Sequence, residues 1–377
     1  MSNRSNNFLR TLFLPERFPE SVSPDYVRYQ SYDSLQALVS NICSTFSTRA
    51  VLLSLGVGDA TATATSAAVQ WLLRDAAGHV GRVLFSFSNA SAMDAESKHY
   101  RLLADVLNDV ALWIDLLVPA LPSFLFLPCV CMSSVFRAIV GVAGPATRAA
   151  VSVHQARANN VADVLAKDSV QETAVNLVGL VLSLWLVPLI TEASHVWLCV
   201  VVLTAVHIVA NVQAMCAVEF DTFNCQRLAL FMDDSALTPA DAARRETFVR
   251  PFRDAAFRER RLEMGASLAD VLRRASADER SALLRQAVEQ LGSLRVAVLP
   301  TRTHIFVCVA DTAVPQDLLR GYFVARSVAL KPELPVDVAS LNFDAFLMRA
   351  VQRGWRDDVA LLGGGTWRVA TTKPKQQ

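Results

Sequence analysis

The stretch Thr173–Val218 reads TAVNLVGLVLSLWLVPLITEASHVWLCVVVLTAVHIVANVQAMCAV and carries a single charged side chain, Glu192. A bilayer core of about 30 Å is crossed by about 20 helical residues rising ~1.5 Å each. The charge-free windows Thr173–Thr191 (19 residues) and Ala193–Val218 (26 residues) meet that length. With Trp185 and Trp197 inside them and TEASH between, they predict a helical hairpin through a membrane, with spans at 173–191 and 196–218. A third charge-free window, Leu116–Phe136, holds Pro119, Pro122 and Pro128, which fits a kinked span or a re-entrant segment at 116–136. The next segment, 138–153, is rich in small residues (Gly141, Ala143, Gly144, Ala146) and interrupted by Pro145 and Arg148. It reads either as a fourth span with close helix approach or as a loop packed on protein. The alternative for the whole block is a soluble bundle whose central helices are apolar all round and covered by protein.

Working outward, charge is distributed unevenly. Only eight charged side chains fall between Leu116 and Val218, whereas Arg244–Arg280 holds ten arginines and seven acids. Across 377 residues the chain is 53% hydrophobic and 19% charged, with mean hydropathy +0.32. That composition excludes disorder, collagen and coiled coil. A net charge of +1 gives no electrostatic case for a nucleic-acid partner. The seven cysteines are odd in number and include no C-x-x-C pair, so they do not make a disulfide framework. Cys129 and Cys131, two apart on a helix, face different ways and are buried thiols in preference to metal ligands.

The fold class that follows is mainly α: a polytopic helical membrane domain, then a small C-terminal α+β domain. The expected partition is an N-terminal tail (1–13), a helical membrane domain (14–235), a charged helical segment (236–292), an α+β domain (293–370) and a tail (371–377). In the tail at 1–13, Arg4, Arg10 and spaced Phe8, Leu9, Leu12 and Phe13 faintly resemble an organelle transit peptide, and equally a short tail before a domain. In 25–42, Val27, Leu35, Leu38 and Ile42 recur at helical spacing. Residues 60–73 suggest a short small-residue helix ending near Arg74. Gly56-Val57-Gly58 lacks the third glycine of a dinucleotide loop, because Thr61 stands in the sixth position. The clusters Arg258, Arg260 and Arg261 alternate with Glu259 and Glu263, as a solvated helix face would. RVAVLPTRTHIFVCVAD (295–311) alternates as strands do, and PQDLLRGYFVARSVAL (315–330) and FDAFLMRAVQRGW (343–355) read as helices.

Polar groups at membrane depth cost free energy unless paired, so they are the functional candidates. His207 and Asn211 share a face of the last span and could bind a ligand, relay a proton, or bond to Asn176 or Asp115. The segment 154–176 is the densest: His154, Arg157, Asp163, Lys167, Asp168, Glu172 and Asn176. Asp163 and Lys167 form an i, i+4 ion pair. Asp168 and Glu172 are like charges at the same spacing, and need Arg148, Arg157 or a ligand cation beside them. A site for a small anionic or zwitterionic molecule follows, against a purely structural polar network. Asp105, Asn108 and Asp109 lie on neighbouring turns beside Arg101, with no histidine or metal-ligand spacing to make them an acid–base couple. No G-x-S-x-G, H-E-x-x-H or P-loop occurs, so no catalytic residue and no metal site is assigned.

FPESVSPDYVRYQ (18–30), DSLQAL (33–38), GVGDATATAT (56–65), QWLLRD (70–75), ADVLND (104–109), AIVGVAGPATRAAVSVHQARANNVADVLAKD (138–168), QET (171–173) and VNL (175–177) together resemble the ROOT UV-B SENSITIVE (RUS) family over about 14–230. Pro145 and Leu165 depart from the family pattern. The resemblance implies a membrane-associated protein of a eukaryotic organelle, whether mitochondrion, plastid or endoplasmic reticulum. It also implies links to ultraviolet-B responses and vitamin B6 homeostasis, with no catalytic activity attached. Pyridoxal phosphate or another B6 vitamer would suit the basic, polar 154–176 segment. The functional expectation is a transporter, scaffold or homeostasis factor in a lipid bilayer, alone or with a family-member or homo-oligomeric partner. The alternative is a membrane-anchored enzyme of cofactor metabolism.

Overall fold

The computed structural model describes residues 2–54, 64–333, 335–336, 342–365 and 367–370. The Gly56-Val57-Gly58 turn and the tail 371–377 lie outside them. The chain forms two compact units, residues 1–93 with 97–218, and residues 94–96 with 219–377.

The first unit is all helical: α1 (Ser2–Phe13), α2 (Tyr26–Ser54), α3 (Ala64–Ala95), α4 (Ser97–Leu117), α5 (Ser123–Gln155), α6 (Val161–Leu189) and α7 (Ala193–Ala217). Three of these, α5, α6 and α7, are long and apolar enough to cross a membrane. Only 17%, 11% and 22% of their most apolar windows are buried by protein, so the apolar belt faces outward. Leu177, Leu180, Leu184 and Trp185 of α6 and Leu198, Val202 and Val209 of α7 are exposed. The apolar faces of these helices are thus left uncovered by the chain itself.

Several expected boundaries move. The 116–136 window starts inside the α4–α5 corner, where a 3-10 turn at Val118–Ala120 and the extended Leu121 break the chain. Pro119 and Pro122 sit at helix starts, where a missing N–H costs nothing. The 138–153 segment is not a separate span or loop, because α5 runs through it with Pro128 and Pro145 inside. The segment 154–176 is not a loop either. A short connection at 156–160 leads straight into α6, which carries its polar residues on helical turns. The small-residue helix expected to end near Arg74 continues to Ala95, and the N-terminal tail is helix α1.

Helix α2 is inverted relative to a soluble amphipath. Val27 and Leu35, half of the apolar stripe read from the sequence, are exposed, while Tyr29, Gln30, Asp33, Gln36 and Ser47 are buried. On α4, Lys98, Asp105, Asp109 and Asp115 are buried while Val106 and Val110 face out. An apolar seam closes the other end of the unit. Ile42, Cys43 and Phe46 of α2 meet Leu112 and Leu116 of α4 and Val200 of α7. There Trp113 stands edge-on to Trp197 at 5.7 Å, and its indole N–H donates to Thr204 Oγ1 at 3.0 Å. The small residues of α5 behave differently from one another. Ala143 is buried against Ala104 and Met93, whereas a Cβ added at Gly144 would meet nothing within 4 Å.

The second unit contains β1 (Thr222–Asn224), α8 (Cys225–Asp233), α9 (Pro239–Arg245), β2 (Arg261–Met264), α10 (Leu268–Arg274), α11 (Ala277–Leu294), β3 (Val296–Pro300), β4 (His304–Val309), α12 (Pro315–Leu330), α13 (Phe343–Gln352) and β5 (Arg356–Leu361). β4 is central in a three-stranded sheet, parallel to β2 and antiparallel to β3. Alternation sorts its side chains. Val296, Val298, Ile305 and Val307 join Leu319 and Tyr322 of α12 in one core. Ala297, Leu299, Phe306 and Cys308 join Ala287 and Leu291 of α11 in the other. Burial pushes the Cys308 thiol up to about 12, which makes it an inert core residue. The boundary expected at 235 falls at 218, because β1 pairs with β5 and Phe223 stacks on Trp355 at 4.4 Å. The 236–292 segment is not separate, since it supplies β2 and α11 to this sheet and its cover.

Gly265 follows β2 at φ +66°, and a Cβ there would stand 1.9 Å from the Gly365 carbonyl oxygen. Gly265→Ala is therefore expected to lower the stability of this unit by about 2 kcal/mol or more, and to speed hydrogen exchange in β2 and β4 of the full chain. Unchanged exchange there would contradict the close approach.

Candidate functional site

Helical spacing places one polar stripe on each of four helices of the first unit. On α2 it is Asp33, Gln36, Ser40, Asn41 and Ser44; on α4, Arg101, Asp105 and Asn108; on α5, Gly144, Pro145 and Arg148; on α6, Glu172 and Asn176. These stripes line one cavity of about 390 Å³. Two arginines organise its walls. Arg101 donates to Asp33 at 2.6 Å and lies 3.7 Å from Asp105. Arg148 reaches Asp168 at 2.7 Å and Glu172 at 2.6 Å. The like charges of Asp168 and Glu172 are thus compensated by Arg148. Two guanidiniums meet four carboxylates here, which leaves an excess of acid.

Further polar contacts extend the network. The Asn211 amide donates to Asp105 and, at 3.4 Å, to Gln36 Oε1. His207 Nδ1 bonds Asp109 at 2.8 Å, Arg137 bonds Asp115 at 2.5 Å, and Ser47 donates to Asp115 at 3.2 Å. His207 and Asn211 are therefore tied to α4 acids and not to Asn176 or Asp115, because α7 presents them one turn apart to Asp109 and Asp105. The Asn176 amide oxygen accepts from Asn41 at 3.5 Å.

The rest of the 154–176 candidates lie elsewhere. His154 Nε2 bonds Asp25 at 2.9 Å, and Ser23 bonds the same carboxyl group. The backbone N–H of Ser23 donates to the Gln155 carbonyl at 2.9 Å and that of Arg157 to Ser21 at 3.0 Å, pinning the α5–α6 turn to residues 21–23. The Arg157 side chain is exposed. In place of the expected i, i+4 pair, Asp163 accepts from the Glu16 N–H at 2.8 Å and Lys167 donates to the Thr11 carbonyl at 2.6 Å. The N-terminal segment competes successfully for both. The basic character read into 154–176 is thereby neutralised or turned outward, which weakens the case there for a phosphorylated vitamer.

Residues 2–237 match the family model described as "Vitamin B6 photo-protection and homoeostasis domain". The chain belongs to the RUS family. This RUS-family chain is 30% identical over 391 residues to protein root UVB sensitive 3 of Arabidopsis thaliana, covering 98% of itself and 88% of that protein. It is 42% identical over 230 residues to RUS family member 1 of Dictyostelium discoideum, covering 60% of itself and 44% of that protein. A third relative, protein root UVB sensitive 2, chloroplastic, of Arabidopsis thaliana, is 29% identical over 94% of this chain and 83% of its own length. No solved structure matches.

Arg148, Glu172 and Asn176 are candidates by sequence and line the cavity; Arg101 and Asp105, visible by spacing but assigned no role, and Asp33, which no local signal marks, line it as well. The 101/105/108 spacing was visible, but its α2 partners 68 residues away were not. Arg148→Ala, which leaves buried Asp168 uncompensated, is expected to lower stability by about 2–4 kcal/mol. Adding Asp168→Asn should recover part of that loss, as read by thermal unfolding in detergent.

Proposed function

We propose that this chain is a multi-pass protein of an organelle membrane that binds an unphosphorylated vitamin B6 vitamer in the cavity between α2, α4, α5 and α6, and so contributes to B6 homeostasis by carrying it across the bilayer. The outward apolar belt of α5–α7 supports the membrane setting. A polar cavity of about 390 Å³ between α2, α4, α5 and α6 supports the ligand. The observation that carries the reading is the charge balance at the wall, where Arg101 and Arg148 are each engaged by two carboxylates. A phosphate ester would compete with those acids for the same guanidiniums. A neutral or protonated vitamer, with a ring nitrogen, hydroxyls or an amine to donate, matches the surplus acceptors.

This replaces pyridoxal phosphate by its unphosphorylated relatives as the ligand. The enzyme alternative gains nothing from the comparisons with known proteins, and the cavity's acids are held in ion pairs. Assembly with a second copy or a family member, and a link to ultraviolet-B responses, remain compatible with this reading.

Gly144 supplies the test, because it lines the cavity and a Cβ added there would meet nothing within 4 Å. Proteoliposomes of the full chain are expected to accumulate radiolabelled pyridoxine or pyridoxamine. Gly144→Ile should cut uptake at least about tenfold with its melting temperature within a few degrees of the parent. Binding without uptake would leave a scaffold or reservoir. Conversion of the vitamer would favour the enzyme, and neither binding nor uptake would end the proposal.

A further inference from the structure

A second cavity, of about 770 Å³, lies wholly within the C-terminal unit, between residues 252–262 and helix α12. Its walls carry Arg253, Arg258 and Arg261, beside the aromatic rings of Phe257 and Tyr322. Among the described residues none of these three guanidiniums forms an ion pair. Some other arginines of the unit are matched, such as Arg274 with Glu263 at 2.7 Å and Arg320 with Asp344 at 2.7 Å. Others, such as Arg285, are exposed and unpaired among the described residues. What sets these three apart is that they share one cavity wall. The one acid in the wall, Asp254, is already committed. Its Oδ2 accepts from the Tyr322 hydroxyl at 2.6 Å and from Arg326 Nε at 2.8 Å. Burial, followed by Cys225 and the neighbouring Asp254, raises the Tyr322 phenol well above its ordinary range, so it stays a donor fixed to that carboxylate.

The wall therefore presents three exposed guanidiniums, and its one acid is engaged by Tyr322 and Arg326. Arginine forks are matched to the oxygens of a phosphate, which they bind through paired hydrogen bonds. Phe257, half-buried, stands edge-on to the buried ring of Tyr322 at 5.9 Å and gives the wall an apolar side. Cys225 is also in the wall, but its thiol donates to the Leu362 carbonyl at 3.2 Å and burial pushes it up to about 12. It is a neutral wall group, so the cavity is built for binding and not for covalent chemistry.

From these contacts we infer that the C-terminal unit holds a binding site for a phosphate monoester, its phosphate on Arg253, Arg258 and Arg261 and its organic part against Phe257 and Tyr322. The site is independent of the cavity in the helical unit and stands whether or not that cavity takes a vitamer. Two sources share this chemistry, a small soluble aryl phosphate and the headgroup of phosphatidic acid.

The full chain in phosphatidylcholine nanodiscs, titrated calorimetrically with phenyl phosphate, separates them. Phenyl phosphate is expected to bind, phenol is not, and the double variant Arg258→Gln/Arg261→Gln should weaken binding at least about tenfold. Arg285→Gln, at an exposed position on α11, should change nothing. A second arm compares melting in phosphatidylcholine and phosphatidic-acid nanodiscs. An arginine-dependent rise seen only with the lipid keeps the monoester site and assigns its source to the bilayer. No arginine-dependent response in either arm, or equal loss in Arg285→Gln, overturns the inference.

Discussion

The helical unit depends on a seam of buried charge. Apolar side chains on α5, α6 and α7 point outward, so they do not hold these helices to one another as they would in a soluble bundle. What the helices share instead is a set of cross-helix ion pairs: α2 to α4 through Asp33 and Arg101, α5 to α6 through Arg148 and its two acids, and α4 to α7 through Asp109 and His207. Each member would be costly alone at that depth and is tolerable only with its partner in place. The register of α2, α4, α5, α6 and α7 is thereby tied to these polar pairs as well as to the apolar seam. The cavity is what remains where four polar stripes face one another without enough side chain to fill the space.

The same logic explains what could be read from the amino-acid order. Lack of charge over 173–218 marks α6 and α7 because each is a long helix whose apolar window the chain leaves largely uncovered. The strands at 296–309 were legible through strict alternation, since each face of that sheet packs on a different helix. Helix α2 keeps one half of the stripe read from its spacing: Leu38 and Ile42 pack inward, while Val27 and Leu35 face out. The Val27–Leu35 stripe obeys helical spacing, and in water it would be the core. In an inverted helix the informative stripe is Asp33–Gln36–Ser40, and only the position of Arg101 reveals that it is buried. Likewise, Asp163 and Lys167 have ideal spacing for one another, yet backbone groups of the N-terminal segment reach them first. Local spacing cannot disclose a partner about 150 residues away.

The two units of the chain solve the problem of charge in opposite ways. In the helical unit, acids outnumber the arginines they engage, and the surplus lies against an open polar cavity. In the C-terminal unit, Arg326 is doubly held by Asp233 and Asp254, and three arginines nearby have no acid partner among the described residues.

The pin between residues 21–23 and the α5–α6 turn also constrains how the molecule is made. His154 and Asp25 are separated by 129 positions, and Arg101 follows Asp33 by 68. As the ribosome delivers the chain, Asp33 must wait for α4 and Asp25 for the end of α5 before each meets its partner. Nascent chains that stop short of His154 would leave residues 21–23 without the contacts that pin them.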